Sequence, residues 1–346
     1  MAGRRLLDLR SGGLILLLAA GLSAALVIAW LLPVLRSGGH HATGDGRDVE
    51  SYGFSLDPLR VPRETLVASG VPRDGIPVLD APAVMTASEV EAEQRESRRK
   101  YLVPSDRVLG VELNGAARAY PLRVLSWHEV ANDTLGGIAI AVTFSPLCDA
   151  TAVFERGNRS FGHSGLFSES NLLLYDRGAP VPSLWSQLRA EAVAGPAAAR
   201  GETLRVVPSE VTTWQSWVRA HPRTTVLRPD PELKKRYRRE PYGNYLDRAE
   251  PRFPVSGWPP PGPIRPFGRV SATRGPDGRW QVSEKADGVR TDITALWFAW
   301  WASHPEMVSP SATPSTRHRS GGPNSRANSS AAAWSTIART SSPTSN

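Results

Sequence analysis

Cys148 is the only cysteine among 346 residues, and a thiolate is both a strong nucleophile and a soft metal ligand. Being alone, it can form no disulfide within the chain, so packing must stabilise the fold. A lone cysteine is either a small buried hydrophobe or a reactive group whose thiolate is populated by a neighbouring base. Two histidines could be that base. His128 is followed by Glu129, an imidazole beside a carboxylate. Adjacent side chains diverge, so the two do not grip one ion together: His128 either points into a site alone, with Glu129 orienting a neighbour, or hydrogen-bonds inside a core under Trp127. His163 lies between Gly162 and Ser164, in a bend where it is either a surface histidine or a third group beside Cys148 and His128. Those three could hold zinc or copper with a fourth position open, although no short ligand pair of a metal motif is present.

Other residues admit binding chemistry. Asp176, Arg177 and Trp185 could line a polar pocket in which the arginine grips a carboxylate or phosphate; equally, Asp176 and Arg177 could pair to fix a turn. His40 and His41 are read as solvated linker residues. The run Lys234, Lys235, Arg236, Arg238 and Arg239 is the one place for an anionic partner to dock, and otherwise a solvated loop.

These groups need a scaffold, and thirty prolines and thirty glycines favour short strands joined by turns. Asn114 and Gly115 supply the two positive-φ positions of a type I′ hairpin turn between strands at 108–113 and 117–122. Further strands are expected at 138–144, after Gly136 and Gly137, and at 151–154, 172–175 and 224–227. Thr212 to Gln215 reads as a capping box for a helix that stops before Pro222, residues 89–100 as a charged surface helix, and Trp297, Trp300 and Trp301 as the packing face of a last helix. The expected class is α+β and β-rich: one domain of short antiparallel strands with a few helices, spanning 71–306.

Ahead of it, residues 14–35 carry no charge and, at about 1.5 Å per residue, reach across a hydrocarbon core of about 30 Å. A cleavable signal peptide has a shorter apolar run, about 7–15 residues, ending in a small-x-small site; this run ends in Trp30, Leu31, Leu32, Pro33, Val34 and Leu35. The reading is a retained transmembrane helix in the cytoplasmic membrane. Arg4, Arg5 and Arg10 keep residues 1–13 inside and the domain outside, with 36–70 as linker and lead-in. The lipid bilayer is thus one partner; the ligand is unspecified. Nucleic acid is not expected. Of the formal net charge of +8, +3 lies in residues 1–36 and +4 in 307–346, which leaves too small an excess to neutralise a row of phosphates. Residues 307–346, rich in Ser, Thr, Ala and Arg, bury too little surface to fold; they read as a disordered or out-of-frame tail.

Along 70–306 a series of words resembles the bacterial and archaeal domain of unknown function 3179. They are Asp74-Gly75-Ile76-Pro77, Arg118-Ala119-Tyr120-Pro121-Leu122, Trp127-His128-Glu129 with Asn132-Asp133-Thr134, Pro146-Leu147-Cys148, residues 161–166, Tyr175-Asp176-Arg177, Ser183-Leu184-Trp185-Ser186-Gln187, Thr212-Thr213-Trp214 and Pro241-Tyr242-Gly243-Asn244-Tyr245. The resemblance implies no activity, since the family has none assigned. Members resembling this chain carry Cys-Pro-Leu-Cys where it has Ser145-Pro146-Leu147-Cys148. A redox dithiol or a two-sulfur metal site is therefore closed to it within one chain. The function expected is ligand or metal binding by an extracytoplasmic domain, or else a thiol enzyme with Cys148 as nucleophile and a histidine base.

Overall fold

Asn114 and Gly115 take φ of 50° and 77° and turn the Arg107–Leu113 strand back onto Ala116–Pro121, as their preference for a type I′ turn predicts. Gly136 and Gly137, at 56° and 80°, do the same between Val130–Leu135 and Ile138–Ser145. A third such turn, Glu169 and Ser170 at 53° and 59°, contains no glycine, so no sequence signal marked it. It joins Ser160–Ser168 to Asn171–Arg177.

The structure, a computed structural model, describes residues 43–96, 100–243, 245–247, 250–284 and 288–305. The chain divides into two units, Met1–Thr43 and Gly44–Asn346. The expected span at 14–35 and tail at 307–346 lie outside the described residues. Among the described residues no helix is long and apolar enough to cross a membrane.

Three sheets build the second unit. A sheet of eight strands has Ala150–Glu155, Ile138–Ser145 and Val130–Leu135 side by side, flanked by Ile293–Leu296, Arg269–Arg274 and Trp280–Glu284 on one side and Leu79–Asp80 on the other. A sheet of five is built on the Ser160–Ser168 and Asn171–Arg177 hairpin, and a sheet of six on the Arg107–Leu113 and Ala116–Pro121 hairpin. Pairing is mostly antiparallel, as expected. Two parallel pairings make the sheets mixed: Leu79–Asp80 with Val130–Leu135, and Thr225–Leu227 with Ala116–Pro121. Parallel neighbours need a long crossover, and the Trp214–Ala220 helix lies on the way to Thr225.

Period-two alternation on a sheet covered on both faces explains the core. Along Ile138–Ser145, Ile140, Val142 and Phe144 join one apolar cluster with Val108, Val111 and Trp217, while Ala141 joins another with Phe161, Leu174 and Trp185. Thr143 and Ser145 alternate with Ala141 onto that second face, and both are fully buried. Polar side chains thus enter an otherwise apolar interior beside Leu147 and Cys148.

Residues 44–70, expected as linker and lead-in, belong instead to the domain's own unit: Tyr52 and Leu66 are buried in a third cluster, and Val67–Ala68 pairs with Ser160–Ser168. The charged helix is Ala87–Glu96, started by a capping box the sequence reading passed over, in which Glu89 N–H donates to Thr86 Oγ1 (3.2 Å) and Thr86 N–H to Glu89 Oε2 (2.7 Å). The cap expected at Thr212 falls one residue later, with Ser216 N–H donating to Thr213 Oγ1, and the helix ends at Ala220, ahead of Pro222.

Candidate functional site

Two short helical turns end on acidic residues in the left-handed conformation, Glu129 (φ 57°) after Leu122–His128 and Asp149 (φ 43°) after Pro146–Cys148. Glycine is the usual occupant of such a position, and a side chain there costs about 1 kcal/mol or more. Both carboxylates are buried, so each must return that strain through what it contacts.

Asp149 accepts two parallel hydrogen bonds from the Arg107 guanidinium, both 3.0 Å, and a third from Arg269. Burial works to raise its carboxyl, but Arg107 and then Arg269 outweigh burial and hold it below the ordinary carboxylate value. Arg107 comes from the six-stranded sheet and Arg269 from the eight-stranded one, so one carboxylate ties the Pro146–Cys148 turn to both.

Among the described residues Glu129 has no such cation. Its Oε1 accepts from the Tyr242 hydroxyl, and its Oε2 lies 3.2 Å from His163 Nε2, close but off the line of a hydrogen bond. Gly165 N–H donates to His163 Nδ1 (3.0 Å), which leaves the ring hydrogen on Nε2, facing the carboxylate. Tyr242 is thereby fixed as a neutral donor: burial first, then the Glu129 charge, push its hydroxyl well above the usual tyrosine value.

Cys148 sits at the end of its turn, fully buried. Asn171 Nδ2 donates to its sulfur (3.0 Å) and to Gln187 Oε1 (2.8 Å), and Gln187 in turn donates to Thr143 Oγ1 (2.9 Å) and the Ala150 carbonyl (3.2 Å). Burial pushes the thiol up to about 12, more than the Ser145 and Asn171 contacts pull it down, and among the described residues no imidazole is bonded to it. Ser145 Oγ and Asn171 Oδ1 are buried without a hydrogen-bond partner.

His128 is elsewhere occupied. Its Nδ1 bonds the Pro77 carbonyl (2.7 Å) and its Nε2 the Tyr237 hydroxyl (2.8 Å), and burial lowers its pKa. With both nitrogens engaged it offers no lone pair to an ion. His163 is wholly buried rather than at the surface. Among the described residues no group of three or more His, Cys, Asp or Glu side chains could hold a metal ion; Cys148, His128 and His163 do not come together as one. Asp176 and Arg177 do not pair. They alternate on one strand: Asp176 accepts from Ser183 N–H (2.6 Å), Arg177 donates to Asp80 and Ser160, and Trp185 packs edge-on against Phe161 in the core.

Beside these groups opens a cleft of about 350 Å³, lined among others by Arg107, Arg123, Phe144, Pro146, Asp149, Tyr242 and Gly243. Neither Cys148 nor Asp176, Arg177 or Trp185 lines it. The sequence reading missed Asp149, Arg107, Arg269, Asn171 and Tyr242 as site residues. For Tyr242 the signal was present in the word Pro241-Tyr242-Gly243.

A family profile described as "Protein of unknown function (DUF3179)" matches residues 73–292. The chain belongs to that family. The match takes in Glu129, the Ser145–Asp149 turn, His163, Asn171, Tyr242 and both arginines, so the buried groups and the cleft wall are DUF3179 residues. No curated protein and no solved structure matches the chain.

Proposed function

We propose that this DUF3179 domain is a ligand-binding module that holds a small polar molecule in the cleft without covalent chemistry at Cys148, tethered outside the cytoplasm by residues 14–35. The observation that carries the reading is the cleft itself. It has the size of a small-molecule site, and its wall is set by two arginine–carboxylate pairs, Arg107 with Asp149 (3.0 Å) and Arg123 with Asp106 (3.1 Å). Tyr242 reaches back from it to the buried Glu129, whose other oxygen lies near His163. Polar groups fixed before a ligand arrives lower the ordering cost of binding. The thiol-enzyme reading lacks a base at the sulfur and a populated thiolate; the zinc or copper reading lacks a convergent ligand set among the described residues.

The test is a thermal-shift screen of small polar metabolites on the detergent-solubilised full chain, with Ser105→Trp as control. Ser105 is exposed and lines the cleft, so tryptophan there fills it without entering the core. Compounds that raise Tm in the parent and not in the variant support the reading; equal shifts in both sink it. For the tether, alkaline extraction should leave the protein in the membrane pellet, and deletion of 14–35 should release it. Release of the intact chain would overturn that part.

A further inference from the structure

We infer that Tyr242 is a catalytic nucleophile with Glu129 as its base, and that the cleft hydrolyses a neutral glycoside. The inference rests on the cleft reading above and adds turnover to it. A nucleophile, a base within hydrogen-bond reach and a third group behind the base are the parts of an activated nucleophile, and three side chains stand here in that order. Tyr242 lines the cleft, and its hydroxyl donates to Glu129 Oε1. Glu129 is buried, and 3.2 Å behind its Oε2 stands His163 Nε2, in a ring fixed by the Gly165 N–H on Nδ1 (3.0 Å). Both facing atoms are buried without a hydrogen-bond partner, so a bond between them is unspent at rest and available to hold the carboxyl as it takes a proton. Asp149 closes a turn in the same way, but two guanidinium groups hold its charge. Among the described residues none holds Glu129, and a proton arrives there without breaking an ion pair.

The substrate class follows from the rest of the lining. Asp106, Asp149, Glu240 and Asp247 are offset by Arg107 and Arg123 in the lining, by Arg269 on Asp149 and by Arg252, whose charge is felt at Tyr242. The balance favours neither an anion nor a cation. Donors remain in the Ser105 hydroxyl and in the N–H groups that Arg107 and Arg123 do not spend on Asp149, Asp106 and the Tyr101 carbonyl. Acceptors remain in the Glu240 and Asp247 carboxylates and the Ser126 oxygen, whose hydrogen goes to the Leu122 carbonyl (3.0 Å). A sugar hydroxyl both gives and accepts a hydrogen bond, and a neutral sugar meets both kinds of group at no charge cost.

Tyrosine takes the place of the nucleophilic carboxylate in some retaining glycosidases. In the first step the Tyr242 oxygen bonds to the anomeric carbon, its proton passes to Glu129 Oε1, and the bond from that carbon to the leaving oxygen breaks. Glu240, two residues from Tyr242, gives the leaving oxygen its proton; desolvation raises its carboxyl, against the pull of the Tyr242 backbone N–H. Water then attacks the same carbon and yields its proton to Glu240, while the tyrosine oxygen departs and recovers its own proton from Glu129. The sum is hydrolysis with retained configuration.

The experiment uses the full chain, solubilised in a detergent without a sugar headgroup, and a panel of 4-nitrophenyl α- and β-glycosides (glucose, galactose, mannose, N-acetylglucosamine), with 4-nitrophenyl acetate and phosphate for comparison. The matching 2-deoxy-2-fluoroglycosyl fluorides serve as traps, read by intact mass and peptide mapping. The expected result is turnover of a glycoside, blocked by Ser105→Trp, and a fluorosugar label on Tyr242. Tyr242→Phe should fall to the uncatalysed rate and take no label. Glu129→Gln should lose about a hundredfold or more, the usual contribution of a general base, and label correspondingly slowly. Glu240→Gln should slow a 4-nitrophenyl glycoside more than its 2,4-dinitrophenyl counterpart, whose leaving oxygen needs less protonation. Melting curves of each variant separate lost chemistry from lost folding. Turnover of the acetate or phosphate alone would overturn the sugar assignment. A label on another residue, or turnover unchanged in Tyr242→Phe or in Ser105→Trp, would overturn the role of Tyr242. If no glycoside is turned over and no trap labels the protein, the inference falls, and the cleft reading is then decided by the metabolite screen.

Discussion

Glu129 and Asp149 occupy the same backbone position, a left-handed residue closing a helical turn, and both are buried, yet their partners differ in kind. Asp149 is enclosed by two guanidinium groups from two sheets. Among the described residues Glu129 is met by a phenol and an imidazole. The first arrangement is closed: both Asp149 oxygens are bonded, and its charge is met by two cations. The second is open, since Glu129 Oε2 and His163 Nε2 face each other out of line and the phenol that completes the set stands at the cleft surface. The difference separates a carboxylate that builds the wall from one that acts on a side chain at the cleft surface.

The largest effect should come from opening the closed arrangement. In Arg107→Met with Arg269→Met, Asp149 keeps its burial and loses its cations. Removing the partners of a buried charge costs about 3–5 kcal/mol, and the lower end is expected because both arginines are partly solvated. Urea unfolding at pH 7 measures it; a loss under 1 kcal/mol would mean that Asp149 is not held by these pairs. The pH dependence gives the sign. In the parent, the folded-state carboxyl lies below its unfolded value of about 3.9, so its contribution is complete above that value and fades as pH falls through the folded one. In the double variant burial alone remains and raises the carboxyl. The variant should then recover stability relative to the parent on acidification, and a parallel decline of both would contradict the assignment.

A smaller effect should follow at the open arrangement. Tyr242→Phe leaves Glu129 Oε1 without its donor, at a cost of about 1–2 kcal/mol. It should also abolish any ligand-induced rise in Tm, because the cleft loses the oxygen that Glu129 orients. A stability loss with the ligand response intact would reduce Tyr242 to a structural contact and remove the distinction between the two carboxylates.

Much of the scaffold was legible because its signals are local. Asn114-Gly115 and Gly136-Gly137 marked hairpins through the φ they require, and the strand at 138–144 showed itself by its length and composition. The Glu169-Ser170 hairpin was not legible, since neither residue advertises positive φ; nor were the parallel pairings, which depend on crossovers rather than on the residues that pair. The site was less legible than the fold. His128, Glu129 and His163 stood out as chemical types, but the pairing of Glu129 with His163 in place of His128 follows from sheet register. Asp149, beside the conspicuous cysteine, gained its role from arginines 42 and 120 residues away, and no spacing rule connects them.

The smallest effect concerns the turn between the two carboxylates. Ser145 and Cys148 flank a single 3₁₀ turn, in which side chains three residues apart eclipse one another, and Ser145 Oγ is buried with no partner. Ser145→Cys removes an unsatisfied hydroxyl, so stability should hold or rise by about 1 kcal/mol. It should also restore an oxidisable pair. Iodoacetamide should leave native parent protein unlabelled, since the Cys148 thiol is buried and pushed up to about 12, and should label one thiol after denaturation. After mild oxidation the variant should show none in denaturant. Two free thiols in the oxidised, denatured variant would mean that the turn holds the side chains apart, and fast labelling of the native parent would return Cys148 to the list of reactive groups and weaken the proposal of binding without chemistry at the thiol.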